Sequence, residues 1–439
     1  MEGLENRIRA TNSAMPYLKI PAFPFSLFYL ASKSPTVFLF VLYAALIPFD
    51  NILGVAAFGT VTRYLGIAII MVTWTWLLVN RRGCVMRPSS VVWSWLAFLV
   101  LAGASSLWAI IPSETISSMF TIGGLFLVYL SIALYPFTER DYSYVMKAII
   151  VGGIVAAMMS LFVYFREITY ANSFRGSLIL KEGKWADPNH FATSLILPLL
   201  LSLYWLTSQR ESRKTWATAS IVMISITILL TGSRGGGIGA VVAVLLFYWR
   251  AKRHIRRRVV IATILIAGIL VFSTWQIAPR QLLKRFDIQQ ILESGGAGRL
   301  FIWSVGLEVF FHRPLNGYGY DNFPHAYGLF SGVVPTKYLS YRTYKVAHSI
   351  YLQTFAELGI IGGLLLLFTL WKHWRLARTL ARKSFLGIAL ESALVGILVT
   401  SATLGTLNYK YFWLSLTLIL LLNNTMRKHR DYIQQNENS

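Results

Sequence analysis

Apolar runs of about 17–25 residues recur along this 439-residue chain. A run of that length crosses a hydrocarbon core of about 30 Å as a helix, because only bonds made within the segment satisfy its backbone there. Twelve such runs stand out, at roughly 35–53, 63–80, 91–110, 115–136, 143–164, 189–206, 216–232, 235–250, 259–275, 349–371, 385–404 and 407–423. Strands of an outer-membrane barrel would alternate apolar and polar over about 10 residues, and these runs do not. The expected fold class is therefore an all-α polytopic membrane protein with about 12 transmembrane helices. With 55% hydrophobic and 13% charged residues, the composition lies far from that of a soluble domain. The first run begins near residue 35 without a small-residue cleavage site before it, so no removable leader is expected. Pro21 and Pro24 break the patch Leu18–Leu30, which reads as an interfacial segment, and the lone Cys84 excludes an internal disulfide.

A net charge of +23 invites a nucleic-acid reading, but its distribution argues for topology instead. Counting alternate connections, one side carries Arg7, Arg9, Lys19 and Lys33, then three cations in "NRRGCVMRP" and three in "SQRESRK". The same side adds six in "WRAKRHIRRR", five in "WKHWRLARTLARK" and three in "MRKHR". The short loops opposite hold only Arg63 and Arg234. Lys and Arg concentrate on the cytoplasmic side and meet anionic lipid there. An even helix count then places both termini in the cytoplasm, with membrane lipids and no nucleic acid as partners of the basic loops.

Two loops on the external side are long, at about 165–188 and 276–348. They divide the chain into transmembrane helices 1–9 (1–275), a loop domain (276–348), helices 10–12 (349–424) and a tail (425–439). Within the loop domain "PRQLLKRFDIQQILES" and "GRLFIWSVGLEVFFHRP" read as amphipathic helices, the second with Leu300, Trp303, Leu307, Phe310 and Phe311 at helical spacing. Gly295, Gly296 and Gly298 separate them, and "PLNGYGYDNFP" reads as a turn-rich ending. A loop of this length inside a compact chain is commonly a lid or binding element.

The external side also collects the chemistry. His348 opens the tenth helix, Arg234 sits in the tight turn "TGSRGGGIG", Arg299 starts the second loop helix, and Arg175 and Asp187 lie in the shorter loop. Taken singly each has a plain structural use: a histidine capping a helix mouth, an arginine anchoring at an interface, Gly235 and Gly239 letting helices approach. Together they place guanidinium groups, which grip phosphate with two parallel donors, on one face. Arg299 at a helix start opposes the positive helix end, a cost that a nearby anion relieves. "GSRGGG" lacks the Lys-Ser/Thr ending of a phosphate loop, and no paired-acid motif offers a metal site in the external loops. No cofactor is expected. Glu357, about 13 Å deeper than His348 along the helix, reads as a structural partner.

The segments "FRGSL…DPNHFA" (174–192), "TGSRGGG" (231–237), "AGRLFIWSVGLEVFFHRPLNGYGYDNF" (297–323) and "AHSIYLQTFAELGIIGG" (347–363) resemble the bacterial O-antigen ligase/polymerase superfamily. The resemblance covers roughly 170–365. It implies a metal-independent, inverting, membrane-embedded glycosyltransferase of the GT-C-like type in the bacterial inner membrane, with its site facing the periplasm. Such an enzyme moves glycan from undecaprenyl pyrophosphate to the lipid A–core oligosaccharide during lipopolysaccharide biosynthesis. On this resemblance Arg234, Arg299 and His348 are the catalytic residues, and Arg175, Asp187, Asn189, Arg313 and Tyr318 bind substrate. An O-antigen polymerase and a protein O-oligosaccharyltransferase share these features. A lipid or sugar transporter would want a pathway of charges inside the spans, and only Lys147, Glu357, Glu391 and Lys410 fall there.

The charge partition is testable. Cysteines introduced at 290 and 330 should label with an impermeant thiol reagent from outside, and one at 254 should not. Labelling at 254 alone would invert the map.

Overall fold

The computed structural model describes residues 34–50, 52–55, 59–80, 86, 88–168, 175–178, 187–208, 214–252, 255, 278–293, 295, 296, 298–333 and 344–437, with isolated positions between 265 and 276. Among the described residues the apolar runs fold as helices: α1 (Pro35–Leu46), α2 (Val61–Val79), α3 (Ser90–Ala104), α4 (Pro112–Leu134) and α5 (Glu139–Ile168). After the first long loop come α6 (Pro188–Ser194), α7 (Ile196–Ser208), α8 (Lys214–Leu230) and α9 (Arg234–Ala251). The run expected at 259–275 lies mostly outside the described residues. Among the described residues six helices are long and apolar enough to cross a membrane, and three further apolar helices are shorter. A two-stranded antiparallel hairpin, Gly54–Val55 with Gly59–Thr60, joins α1 to α2.

The loop domain contributes α10 (Arg280–Lys284), α11 (Ile288–Glu293), α12 (Arg299–His312) and α13 (Phe323–Phe330). The single helix expected from "PRQLLKRFDIQQILES" is thus two, split where the Asp287 carboxylate accepts from the Gln289 amide at 3.0 Å and starts a new helix. The apolar face read on α12 also needs correcting. Leu300, Leu307 and Phe311 point outward, at 60%, 48% and 67% exposure, whereas Ile302, Val305 and Val309 are buried. Gly306 decides this. A Cβ there would meet Leu352 at 2.7 Å, so the glycine face is the one that packs closely.

Three long helices complete the chain: α14 (Ile350–Ala381), α15 (Phe385–Ser401) and α16 (Lys410–Glu437). Small residues set the closest helix pair. A Cβ on Gly239 of α9 would sit 2.6 Å from the Gly396 carbonyl of α15, and Thr400 donates to the Gly235 carbonyl at 3.3 Å. That is the close backbone approach small residues permit in membranes. Lys410, expected within a span, instead begins α16 and pairs with both Asp50 oxygens at 2.7 Å.

Helix α14 is interrupted at Gly359, whose φ of 64° and ψ of −164° are not helical. The backbone groups freed there are taken up by the turn-rich segment 314–319. Ile360 N–H donates to the Pro314 carbonyl at 2.7 Å, Tyr318 N–H to Ala356 at 3.2 Å, and Gly319 N–H to Glu357 at 2.8 Å. The other side of the segment docks on the α3–α4 connection, through Ile110 N–H to Tyr318 O (3.1 Å) and Trp108 Nε1 to Asn316 O (2.9 Å). Glu357 has the structural role expected of it, its Oε1 accepting from Phe323 N–H at 3.1 Å and Gln353 Nε2 at 3.0 Å.

Gly317 holds this wedge at φ 64°, and a Cβ would fall 2.4 Å from the Glu357 carbonyl. Gly317→Ala should therefore cost about 2 kcal/mol or more, from left-handed strain plus a backbone clash. A melting midpoint equal to wild type would remove the wedge from the determinants of stability.

Candidate functional site

The site grows from the turn Thr231–Ser233 between α8 and α9. Gly232 takes φ 58° there, and the carbonyls of the turn that follows α8 lie beyond the helix and need partners from elsewhere. Two arginines from different loops claim them. Arg175 Nε donates to Thr231 O at 2.7 Å, while Arg285, just beyond α10, donates to Gly232 O at 3.2 Å. Gly176 N–H bonds Leu230 O at 2.7 Å and fixes the strand of chain carrying Arg175. Arg175 also donates to Asn189 Oδ1 at 2.8 Å. Asn189 is oriented by Asp187, the N-cap of α6, whose Oδ1 accepts from Asn189 N–H (2.7 Å) and Nδ2 (2.9 Å).

Arg234 and Arg299 are each the first residue of a helix, capped by Ser233 and Gly298 respectively. Both cations therefore stand at the positive end of a helix dipole, where an anion is favoured and a cation is not. A third helix end, that of α14, is adjacent. Here Ser349 is the N-cap and the helix starts at Ile350, so His348 precedes the helix rather than opening it. Its φ of 49° is rare for a residue with a Cβ. Trp303 of α12 braces the preceding peptide, donating to the Ala347 carbonyl at 3.1 Å.

These groups lie close enough to feel one another's charge. Burial, then Arg285, Arg299 and Arg234, push the Arg175 guanidinium down to about 10, with Asp187 opposing. Burial and then Arg234 lower both Arg285 and Arg299. Arg175 and Arg299 thus feel the Asp187 carboxylate, while Arg285 feels Arg234, and among the described residues none of the four arginines forms a salt bridge. His348 is half-buried; desolvation first, then Arg299 and Lys345, lower its pKa from the usual 6.5, with Asp187 opposing. Burial and Arg299 thus both favour the neutral form of the imidazole.

Of the residues singled out in the sequence, Arg175, Asp187, Asn189, Arg234, Arg299 and His348 come together here. Arg313 and Tyr318 do not join them. Arg313 lies over the Tyr318 ring at 4.7 Å, and Tyr318 belongs to the wedge on α14. Arg285 is hard to single out because "PRQLLKRFD" shows an ordinary amphipathic pattern; its only signal is a cation on the same side of the expected spans as Arg234 and Arg299. His190 was quoted within a motif without a role. It stacks on Tyr409 with centroids 3.5 Å apart and shares a 2.9 Å hydrogen bond with Tyr411.

Fold and site together define a class: a helical membrane protein whose loops gather guanidinium groups and a half-buried histidine around helix ends. Residues 218–367 match the family model described as O-antigen ligase, and the resemblance to that superfamily is borne out. The chain is 26% identical over 250 residues to a general O-oligosaccharyltransferase of Acinetobacter baylyi, covering 52% of this chain and 41% of that protein. It is 23% identical over 239 residues to an uncharacterized protein of Haemophilus influenzae, covering 51% and 57% respectively. The chain therefore spans about half the length of the curated relatives it matches.

The geometry separates two arginines that composition cannot. Arg285→Gln should weaken binding of inorganic pyrophosphate about ten- to a hundredfold, the loss expected for a charge-assisted hydrogen bond, whereas Arg313→Gln should leave it unchanged. Calorimetric titration of both variants checks this; equal losses would disperse the site over the whole loop domain.

Proposed function

We propose that the chain is an O-antigen ligase, a metal-independent inverting transferase acting at the periplasmic face of the inner membrane. The observation that carries this reading is His348, beside Arg299 and Asp187, in a cluster where Arg175 and Arg285 are fixed on the Thr231 and Gly232 carbonyls and crowd Arg234 and Arg299. A polyprenyl-pyrophosphate donor supplies the matching anion, and Arg175, Arg234, Arg285 and Arg299 bind its two phosphates. In the reaction a hydroxyl of the lipid A–core oligosaccharide gives its proton to the imidazole, and its oxygen attacks the anomeric carbon from the face opposite the pyrophosphate. The anomeric C–O bond breaks as the new one forms. Its electron pair leaves with undecaprenyl pyrophosphate, and the sugar configuration inverts. The arginines stabilise the departing charge, the part played by divalent metals at other pyrophosphate sites. Twelve crossings with both termini in the cytoplasm complete the arrangement.

A protein O-oligosaccharyltransferase is the second reading, favoured by the name of the Acinetobacter baylyi relative. A deletion strain separates the readings. Loss of all O-antigen with lipid-linked polymer accumulating supports the ligase, a single repeat left on the core indicates a polymerase, and loss of glycan from proteins alone indicates the second reading.

His348→Ala should lower transfer about 10²–10⁴-fold, the usual range for general acid–base catalysis, while melting and pyrophosphate binding stay normal. The active imidazole is the neutral form, so transfer rises with pH. Its acid limb should fall below the ordinary 6.5, because burial and Arg299 depress the folded value. In vitro transfer from lipid-linked donor to core acceptor, measured across pH, reads both. Near wild-type transfer by a folded variant would take His348 out of the mechanism.

A further inference from the structure

At the other end of α9 the chain builds a second, separate cluster of charge. Arg250 lies 16 residues beyond Arg234, about 24 Å along the helix. Its Nη2 approaches Glu391 Oε1 of α15 at 3.4 Å, and Arg378 Nη1 of α14 reaches the same oxygen at 3.4 Å. Glu391 is 1% exposed, and among the described residues neither its second oxygen nor Arg250 Nε has a hydrogen-bond partner. These groups line a cleft of about 340 Å³ that also takes in Trp249, Lys252 and Arg382. That volume is at the low end of small-molecule sites, which run about 300–1,000 Å³. Four cations face one carboxylate whose accepting oxygen two of them already share, so the cleft keeps a positive surplus. The guanidinium groups are held in place. Arg250 lies over the Trp249 ring at 4.5 Å, and Arg378 over Trp374 at 5.6 Å.

We infer that this cleft binds the phosphate headgroup of an anionic phospholipid. The charge partition alone would be met by solvated basic loops. Here two arginines instead converge on a buried carboxylate between three helices, which fixes their donors in one place. What selects a lipid over a free anion is the surface beneath. Val241, Leu245 and Trp249 follow one another at four-residue spacing on α9 and are 57%, 64% and 58% exposed. They form an apolar track on which an acyl chain lies while its headgroup sits among the cations. Basic pockets between transmembrane helices take anionic headgroups on this principle. The binding is independent of the transferase reading, since none of its residues belongs to the arginine cluster around His348.

The test uses purified full-length protein and native mass spectrometry, counting retained phosphatidylglycerol against phosphatidylcholine. Wild type should retain phosphatidylglycerol about tenfold better or more, from two or more charge-assisted bonds. Lys252→Gln combined with Arg382→Gln, two exposed positions not bonded to Glu391, should remove that preference without changing the melting midpoint. Arg427→Gln with Lys428→Gln, on α16, should keep it. Equal retention of the two lipids by wild type would overturn the inference, as would an equal loss in both double variants, which marks a diffuse field. Displacement of phosphatidylglycerol by millimolar inorganic phosphate would also overturn it, as a free-anion site; persistence of the lipid supports it.

Discussion

The break in α14 at Gly359 is the constraint on which the rest of the molecule depends. A helix interrupted inside a membrane leaves backbone groups that hydrocarbon cannot satisfy, each costing several kcal/mol. Segment 314–319 supplies the missing partners from outside the helix, through bonds at Ile360, Tyr318 and Gly319. The loop domain is therefore stitched into the transmembrane bundle rather than resting on it. Because α12 packs on the first turns of α14 through Gly306 and Leu352, and Trp303 holds the Ala347 carbonyl, the same stitch fixes where Arg299 lies relative to His348.

The site is assembled at an electrostatic cost that runs against folding. Arginines that begin helices oppose the dipole, and arginines that crowd one another lower each other's pKa. Local backbone strain at His348 adds to it. Such costs persist where surrounding structure over-determines the geometry, and here the carbonyls of Thr231 and Gly232 do so. They hold Arg175 and Arg285 by hydrogen bonds that need no counter-charge. The folded chain thus keeps a positive field that a bound anion would neutralise.

Much of this was legible in the sequence, for reasons that can be named. The apolar runs announced helices because a membrane allows little else, and counting crossings put Arg175, Arg234, Arg299 and His348 on one side, where the structure brings them together. Contact between residues dozens of positions apart was not legible. Arg285 looks like any cation on an amphipathic helix, since what recruits it is a carbonyl freed 53 residues earlier. The α12 face was misread because both of its faces are apolar, and only the glycine at 306 distinguishes them. Arg313 and Tyr318 sat beside the right motif, yet their turn was needed to mend α14.

The wedge also sets what the chain tolerates in length as opposed to identity. Leu315 and Asn316 are exposed, and the bonds this segment makes to α14 and to Trp108 run through its backbone. Side chains at those two positions are therefore free to vary. Inserting or deleting one residue between 313 and 320 is different, because it shifts every one of those bonds out of register together. In this short segment spacing, rather than side-chain chemistry, is the information the fold reads.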